Sequence, residues 1–213
     1  MENYIYKIFS YTRMKEKIIE TSLQQFLQHG IRNITMQKLV LTLGISTKTM
    51  YKYFDDKEEL LEECLKIHYK GTDKAIQKLL QGSPNAVVSL CRVYSKSLEL
   101  DFGTNHLFYH DLNHYYPDLQ DKVIKQYSTN AVKILIAIIE QGIAEGSFQP
   151  HLQPPVVLQA LSVLYTSITR FDTYKKFALN PNDLIDHTIN IYLKGICTDK
   201  GLQIVNQLTE LSN

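Results

Sequence analysis

The sequence has 213 residues, of which 44% are hydrophobic and 21% are charged, and its formal net charge is +1. This composition excludes an intrinsically disordered chain, and the low net charge excludes a general polyanion binder. The three cysteines are far apart and form no C-x-x-C pair, which argues against a disulfide framework or a zinc finger and favours a reducing cytoplasm. No apolar run approaches 18 residues, so no membrane span is predicted.

The charge is distributed unevenly along the chain. Residues 1–54 contain eight lysine or arginine residues and three acidic ones, a net charge of +5, so the remainder carries −4. A basic N-terminal quarter followed by a mildly acidic body is typical of a DNA-binding head joined to a body of another kind.

Apolar residues recur with helical spacing throughout, so we expect an all-α fold of about nine helices. Residues 1–13 are interpreted as an N-terminal arm, either disordered or the product of a misplaced start codon, and residues 199–213 as a tail with at most a turn or two of helix. Helices two, three and four are expected to begin at the capping residues Thr35, Ser46 and Asp56. The fourth helix ends before Gly82-Ser83-Pro84, where the fifth begins. The expected helices span about residues 14–29, 36–43, 47–53, 56–80, 84–102, 104–114, 117–142, 156–168 and 181–196.

The second and third predicted helices are joined by Gly44-Ile45-Ser46, which predicts a helix-turn-helix. Ile45 is expected to point back into the small core of this motif. The third helix then offers short or cationic side chains that can reach base edges and phosphates, with hydroxyl donors nearby. These side chains are Thr47, Lys48, Thr49, Tyr51, Lys52 and Tyr53.

Residues 31–61 resemble the signature of the tetracycline-repressor (TetR) family. The resemblance is carried by the residues at the helix ends, the turn and the start of the fourth helix: Gly30, Thr35, Leu39, Gly44, Ile45, Ser46, Tyr51, Tyr53, Phe54, Lys57 and Leu60. Val40 departs from the pattern, because the family usually has alanine there. The resemblance implies a helix-turn-helix domain over residues 14–57 and a ligand-binding and dimerisation domain over residues 58–198.

The resemblance also implies DNA contacts. Thr35 and Gln37 would contact phosphate, with a base contact left open as an alternative. Thr47, Lys48 and Thr49 would face bases. Tyr51, Tyr53 and Lys57 would hold phosphates, and Ser46 and Lys52 are further expected DNA contacts. The alternative for each is a solvated surface residue, and for Tyr51 it is core packing.

Three histidines at helical spacing, His106, His110 and His114, could bind a metal. The simpler interpretation is a partly exposed polar face, and we predict no metal and no cofactor. Dense aromatic residues in the body indicate either ordinary core or the walls of a small-molecule pocket. The candidate lining residues are Tyr94, Phe102, His106, Tyr109, His110, Tyr127, Tyr165 and Arg170. Arg170 could pair an anionic ligand or simply bridge to a nearby acid such as Asp172.

The last two predicted helices are apolar on more than one side, which favours pairing with a second copy of the chain. The resemblance indicates the same, and packing within one subunit is the alternative. The expected interface residues are Val157, Leu161, Leu164, Ile168, Ile185, Ile189 and Tyr192.

No enzyme motif is present, so we interpret the chain as a non-enzyme. Its expected partners are double-stranded operator DNA, a small-molecule ligand and a second copy of the chain. The expected function is a transcriptional repressor that a ligand releases from its operator. The alternative is a helical ligand-binding or scaffold protein whose helix-turn-helix no longer binds DNA.

Overall fold

The structure is a computed structural model that describes residues 2–169, 172–177 and 179–210. Side chains are described except at residues 2–10, 127–129, 172, 175, 181–182 and 209–210. These residues form eleven α-helices, one 3₁₀ helix and no β-strand, which confirms the all-α prediction. No helix in this part of the chain combines the length and the apolar run that crossing a membrane requires.

The helices follow one another through short connections. The α-helices are α1 (Glu2–His29), α2 (Met36–Leu43), α3 (Thr47–Tyr51), α4 (Lys57–Leu80), α5 (Ala86–Phe102), α6 (His106–Tyr115), α7 (Pro117–Ala144), α8 (Pro154–Thr169), α9 (Pro181–His187), α10 (Ile189–Ile196) and α11 (Asp199–Glu210), with the 3₁₀ helix at Asp172–Phe177 between α8 and α9.

Four sequence-based boundaries are wrong. Helix α1 begins at Glu2 instead of Met14, because no proline or glycine interrupts residues 2–29. The cap of α5 is Asn85, whose Oδ1 accepts from the Val88 amide at 3.0 Å. The last long predicted helix is broken at Thr188 (φ −130°, ψ −84°), and the expected tail forms α11. The break at Thr188, the 3₁₀ helix and α11 each add one helix to the nine that the sequence predicted.

The chain divides into two compact units, which we call unit 1 (Met1–Gly71 and Thr104–Tyr127) and unit 2 (Thr72–Gly103 and Ser128–Asn213). Unit 1 therefore contains α6, which the sequence placed in the body. The physical reason is that Phe108 and Leu112 of α6 are fully buried in the same core as Phe26, Met50 and Leu60. The core of unit 2 is a second cluster, built from apolar residues of α5, α7, α8, α9, α10 and α11.

The C-terminal helix of unit 2 is fastened by backbone contacts to the loop before α8. The Thr198 amide donates to the Ser147 carbonyl at 3.0 Å, and the Gln149 amide donates to the Ile196 carbonyl at 2.9 Å. Gly201, in the first turn of α11, lies so close that an added Cβ would be 2.1 Å from the Ser147 carbonyl oxygen. Only glycine fits at this position.

We therefore expect Gly201→Ala to lower the free energy of unfolding by about 1–3 kcal/mol, because backbone atoms would have to move apart. Gly195→Ala is the matched control, since Gly195 is an exposed residue of α10 with open space around it. This control should be neutral or stabilise the protein by up to about 1 kcal/mol through its higher helix propensity. Urea unfolding followed by circular dichroism measures both, and equal midpoints for the two variants would contradict the close approach.

Candidate nucleic-acid interface

The helix-turn-helix is formed by local capping and one left-handed glycine. Thr35 Oγ1 accepts from the Lys38 amide at 3.1 Å, and Ser46 Oγ accepts from the Thr49 amide at 3.0 Å. Gly44 ends α2 with φ 64° and ψ 34°, a conformation that costs most L-residues roughly 1–2 kcal/mol. These features confirm the two predicted caps and the predicted turn.

Helix α3 has only five residues, and its orientation is set by what it buries. Met50 is fully buried and Ile45 is half-buried against the core of unit 1. Phe54, which follows α3, is buried as predicted. Because one side of α3 faces this core, the opposite side carries the exposed polar residues Thr47, Lys48, Tyr51 and Lys52.

The start of α4 is held by the expected acidic pair. The Glu59 amide donates to Asp56 Oδ1 at 2.8 Å, and the Asp55 amide donates to Glu59 Oε2 at 2.7 Å. A reciprocal pair of this kind satisfies amides that have no partner within the helix. It also sets the path of the chain between α3 and α4.

Among the ten predicted DNA contacts, most are surface residues, but Thr35, Ser46 and Lys57 already use polar atoms in hydrogen bonds within unit 1. Thr35, Gln37, Ser46, Thr47, Lys48, Tyr51 and Lys52 are exposed, whereas Thr49 and Tyr53 are partly buried. The DNA contact of Lys57 stays a prediction, and in the structure its Nζ donates to the Ile31 carbonyl oxygen at 2.6 Å and lies 5.7 Å from the centre of the Phe26 ring. Burial lowers the pKa of Lys57, and the nearby carboxylate of Asp111 opposes that shift. Ser46 uses its hydroxyl as the cap of α3.

Sequence reasoning missed a second support of the helix-turn-helix, in which the turn before α2 is attached to α6. The buried carboxylate of Asp111 accepts a 2.8 Å hydrogen bond from the Arg32 amide. The Arg32 guanidinium donates to the Tyr115 hydroxyl at 2.8 Å and lies 4.3 Å from the centre of that ring. The Asn105 amide donates to the Leu27 carbonyl at 3.0 Å. These partners are about 80 positions apart, so no local pattern could reveal them.

A groove of about 420 Å³ lies beside this attachment. It is lined by Arg32, Asn33, Leu107, His110, Asp111 and Tyr115. The rings of His110 and His114 stack at 5.0 Å, and His110 is mostly exposed. No group of three metal-ligating side chains converges among the residues the structure describes.

The predicted ligand residues belong to both units. Tyr94 and Tyr165 of unit 2 are brought together, with ring centroids 6.0 Å apart, and the Tyr165 hydroxyl donates to Asp101 Oδ2 at 2.5 Å. Phe102 of unit 2 is exposed. In unit 1, Tyr109 is buried with its hydroxyl 3.3 Å from His68 Nε2, whereas His106 and His110 are exposed. Arg170 and the side chain of Tyr127 lie outside the described residues.

The predicted dimer residues also need correction. Four of them, Val157, Leu161, Ile168 and Ile189, are buried in the core of unit 2, while Leu164, Ile185 and Tyr192 are partly buried. The apolar periodicity identified helices with two apolar sides. The sequence-based prediction placed residues of the inner side at the interface, whereas the structure buries them in the core. The outward apolar residues of α8 and α10 are Val156, Val163 and Ile191, which are 66%, 56% and 59% exposed.

Two short helices at a glycine turn, with the second presenting a polar and cationic face from a buried anchor, define a helix-turn-helix DNA-binding domain. Residues 18–64 match the family model described as bacterial regulatory proteins, tetR family. Residues 18–64 are therefore a TetR-type helix-turn-helix domain, and the chain is a TetR-type DNA-binding transcriptional regulator.

Known proteins agree with this assignment. The chain is 22% identical over 147 residues to the HTH-type transcriptional repressor KstR2 of Mycolicibacterium smegmatis, covering 67% of this chain and 71% of that protein. It is 24% identical over 192 residues to the HTH-type transcriptional regulator YhgD of Bacillus subtilis, covering 85% and 96%. A TetR-family regulator from Cytophaga hutchinsonii has the same fold, with a TM-score of 0.70, 18% identity, and coverage of 88% and 96%.

The attachment of α6 to the helix-turn-helix can be tested with Asp111→Ala. This change leaves the Arg32 amide without its acceptor, so we expect a loss of about 1–3 kcal/mol and faster hydrogen exchange at that amide. Asp121→Ala is the matched control, because it removes an exposed carboxylate from the same unit and should alter neither property. Unchanged exchange at Arg32 in the Asp111 variant would contradict the attachment.

Proposed function

We propose that this regulator is a repressor that acts in the cytoplasm as a homodimer. In this proposal two copies of α3 enter successive major grooves of a near-palindromic operator. A small molecule then binds the helical body and favours a state in which the two α3 helices no longer match the half-site spacing. The small molecule must therefore bind this state more tightly than the DNA-binding state. The proposal includes no catalytic step.

The exposed face of α3 is the observation that carries the DNA-binding part of this proposal. Lys48 and Lys52 are four residues apart, so both ammonium groups lie on one side, with Thr47 and Tyr51 beside them. The N-terminal residues of a recognition helix contact base edges, and cations and hydroxyls further along contact phosphates. We therefore assign base contacts to Thr47, Lys48 and Thr49.

The repressor and ligand parts of the proposal rest on a named relative and on an aromatic pair in unit 2. KstR2 of M. smegmatis is named a repressor, and we extend that sign of regulation to this chain. In unit 2, Tyr94 is buried beside Tyr165, burial raises the pKa of Tyr94, and we assign its phenol as an anchor for a ligand. An apolar site with a few hydroxyl anchors is the usual form of a small-molecule pocket.

We expect Lys48→Ala to weaken binding to a 30-base-pair duplex from upstream of its own gene, because an exposed cationic contact is lost. One such contact is worth about 1–3 kcal/mol, or roughly fivefold to 150-fold in affinity. The melting temperature should not change, since the side chain is exposed. Fluorescence anisotropy measures the binding, with Lys78→Ala in unit 2 as the matched charge control.

If Lys48→Ala and Lys78→Ala bind that duplex as tightly as the wild type, the assignment of α3 as the recognition helix is wrong. Loss of binding in both variants would instead indicate a general effect of charge.

The proposed dimer uses the outward faces of α8 and α10. Val156 and Val163 are seven residues apart and thus lie on one side of α8, and α10 packs beside α8. Pairing these faces across a twofold axis would bury them in a four-helix arrangement.

We expect Val163→Glu and Ile191→Glu to give folded monomers at micromolar concentration, because each change places a charge in the proposed interface without entering the core of unit 2. Val132→Glu is the control on α7, at a site that is 41% exposed, and it should remain dimeric. Sedimentation equilibrium distinguishes these outcomes. A monomeric wild type, or dimeric Val163 and Ile191 variants, would contradict the proposal.

A further inference from the structure

Helix α1 extends beyond the part of the chain that matches the family model, and it meets the end of α3. The match begins at residue 18, whereas Tyr11 already packs on Tyr53, with ring centroids 4.5 Å apart and planes at 33°. Lys52 Nζ lies 5.6 Å from the centre of the Tyr11 ring, and Lys15 Nζ lies 5.3 Å from the centre of the Phe54 ring. Tyr11 and Lys15, on successive turns of α1, therefore contact the three residues that follow α3.

The chemistry of this contact is that of a donor cluster. Tyr11 is 40% exposed and Lys52 is exposed, so both residues lie at the surface. Burial, and to a smaller extent the neighbouring Tyr11, raise the pKa of Tyr53. A tyrosine phenol is protonated near neutral pH in any case and can donate a hydrogen bond. One ammonium and two phenols thus lie together.

The position of the cluster indicates which partner it fits. Lys52 follows α3 in a right-handed helical conformation (φ −76°, ψ −24°), so it continues the face that begins with Lys48. If the first turn of α3 contacts bases, its far end and the adjoining helix approach the sugar-phosphate backbone that borders the groove. A phosphate diester offers two acceptor oxygens and one negative charge, which suits one ammonium and neutral hydroxyl donors.

We propose that Tyr11, Lys52 and Tyr53 form a binding site for a backbone phosphate of DNA at the edge of the half-site. Tyr11 supplies a hydroxyl donor from outside the helix-turn-helix, and its ring holds the Lys52 ammonium in place by a cation–π contact. This inference rests on the proposed use of α3 as the recognition helix. A purely structural Tyr11 would need only its ring, so the hydroxyl separates the two roles.

The test uses the full chain with two 30-base-pair duplexes, one from upstream of its own gene and one of scrambled sequence. Tyr11→Phe keeps the ring and removes the hydroxyl, Lys52→Gln removes the charge, and Lys78→Gln is the charge control. Binding is measured by fluorescence anisotropy at several KCl concentrations, and melting temperatures are recorded in parallel.

We expect Tyr11→Phe to weaken binding to both duplexes by the same factor, about fivefold or more, because a phosphate contact carries no sequence information. Its salt dependence should be that of the wild type, since a phenol is neutral. Lys52→Gln should weaken binding and reduce the slope of log K against log[KCl] by about 0.9, the value for one phosphate contact. Neither variant should change its melting temperature, and Lys78→Gln should behave as the wild type.

Wild-type affinity of Tyr11→Phe for both duplexes would overturn the proposal while leaving the role of α3 intact. A loss confined to the upstream duplex would also overturn it, because that result indicates a base contact. Failure of the wild type to bind either duplex would overturn this inference together with the proposed function.

Discussion

Helix α3, the proposed recognition helix, depends on the burial of one methionine. Five residues are too few to form a stable helix in water, because nucleating a helical turn fixes several dihedral angles for one hydrogen bond. Met50 supplies the missing stability by packing fully buried in the core of unit 1, and Phe54 follows it into the same core. Because these two side chains face inward, the Ser46 cap and the Gly44 turn leave Lys48 facing outward.

The rest of unit 1 supports this arrangement from two sides. At the start of the motif, the Asp111 carboxylate holds the Arg32 amide, and Lys57 uses its ammonium to hold the Ile31 carbonyl. At the end of the motif, Tyr11 packs on Tyr53. Lys57, which the sequence predicted as a DNA contact, thus also holds two segments of unit 1 together. Tyr11, which lies outside the expected helix-turn-helix domain, becomes a candidate for DNA contact.

Features that depend on neighbouring residues were predictable from sequence, whereas features that depend on distant ones were not. The caps at Thr35 and Ser46 are confirmed because an N-cap hydrogen bond joins residues three apart. The bond between Asp111 and Arg32 spans 79 positions and leaves no local pattern. Periodicity showed that α8 has two apolar sides, but it could not indicate that Val157 faces the core, since that depends on where the other helices pack.

The most direct test of the account is amide hydrogen exchange of the wild-type chain, with and without a 30-base-pair duplex from upstream of its own gene. If α3 is presented to DNA by the burial of Met50, exchange should slow in peptides covering residues 35–53 when the duplex is added. The amide of Met50 itself, which donates to the Ser46 carbonyl at 3.0 Å, should already be protected in the free protein. Protection that appears elsewhere and leaves residues 46–53 unchanged would contradict the account.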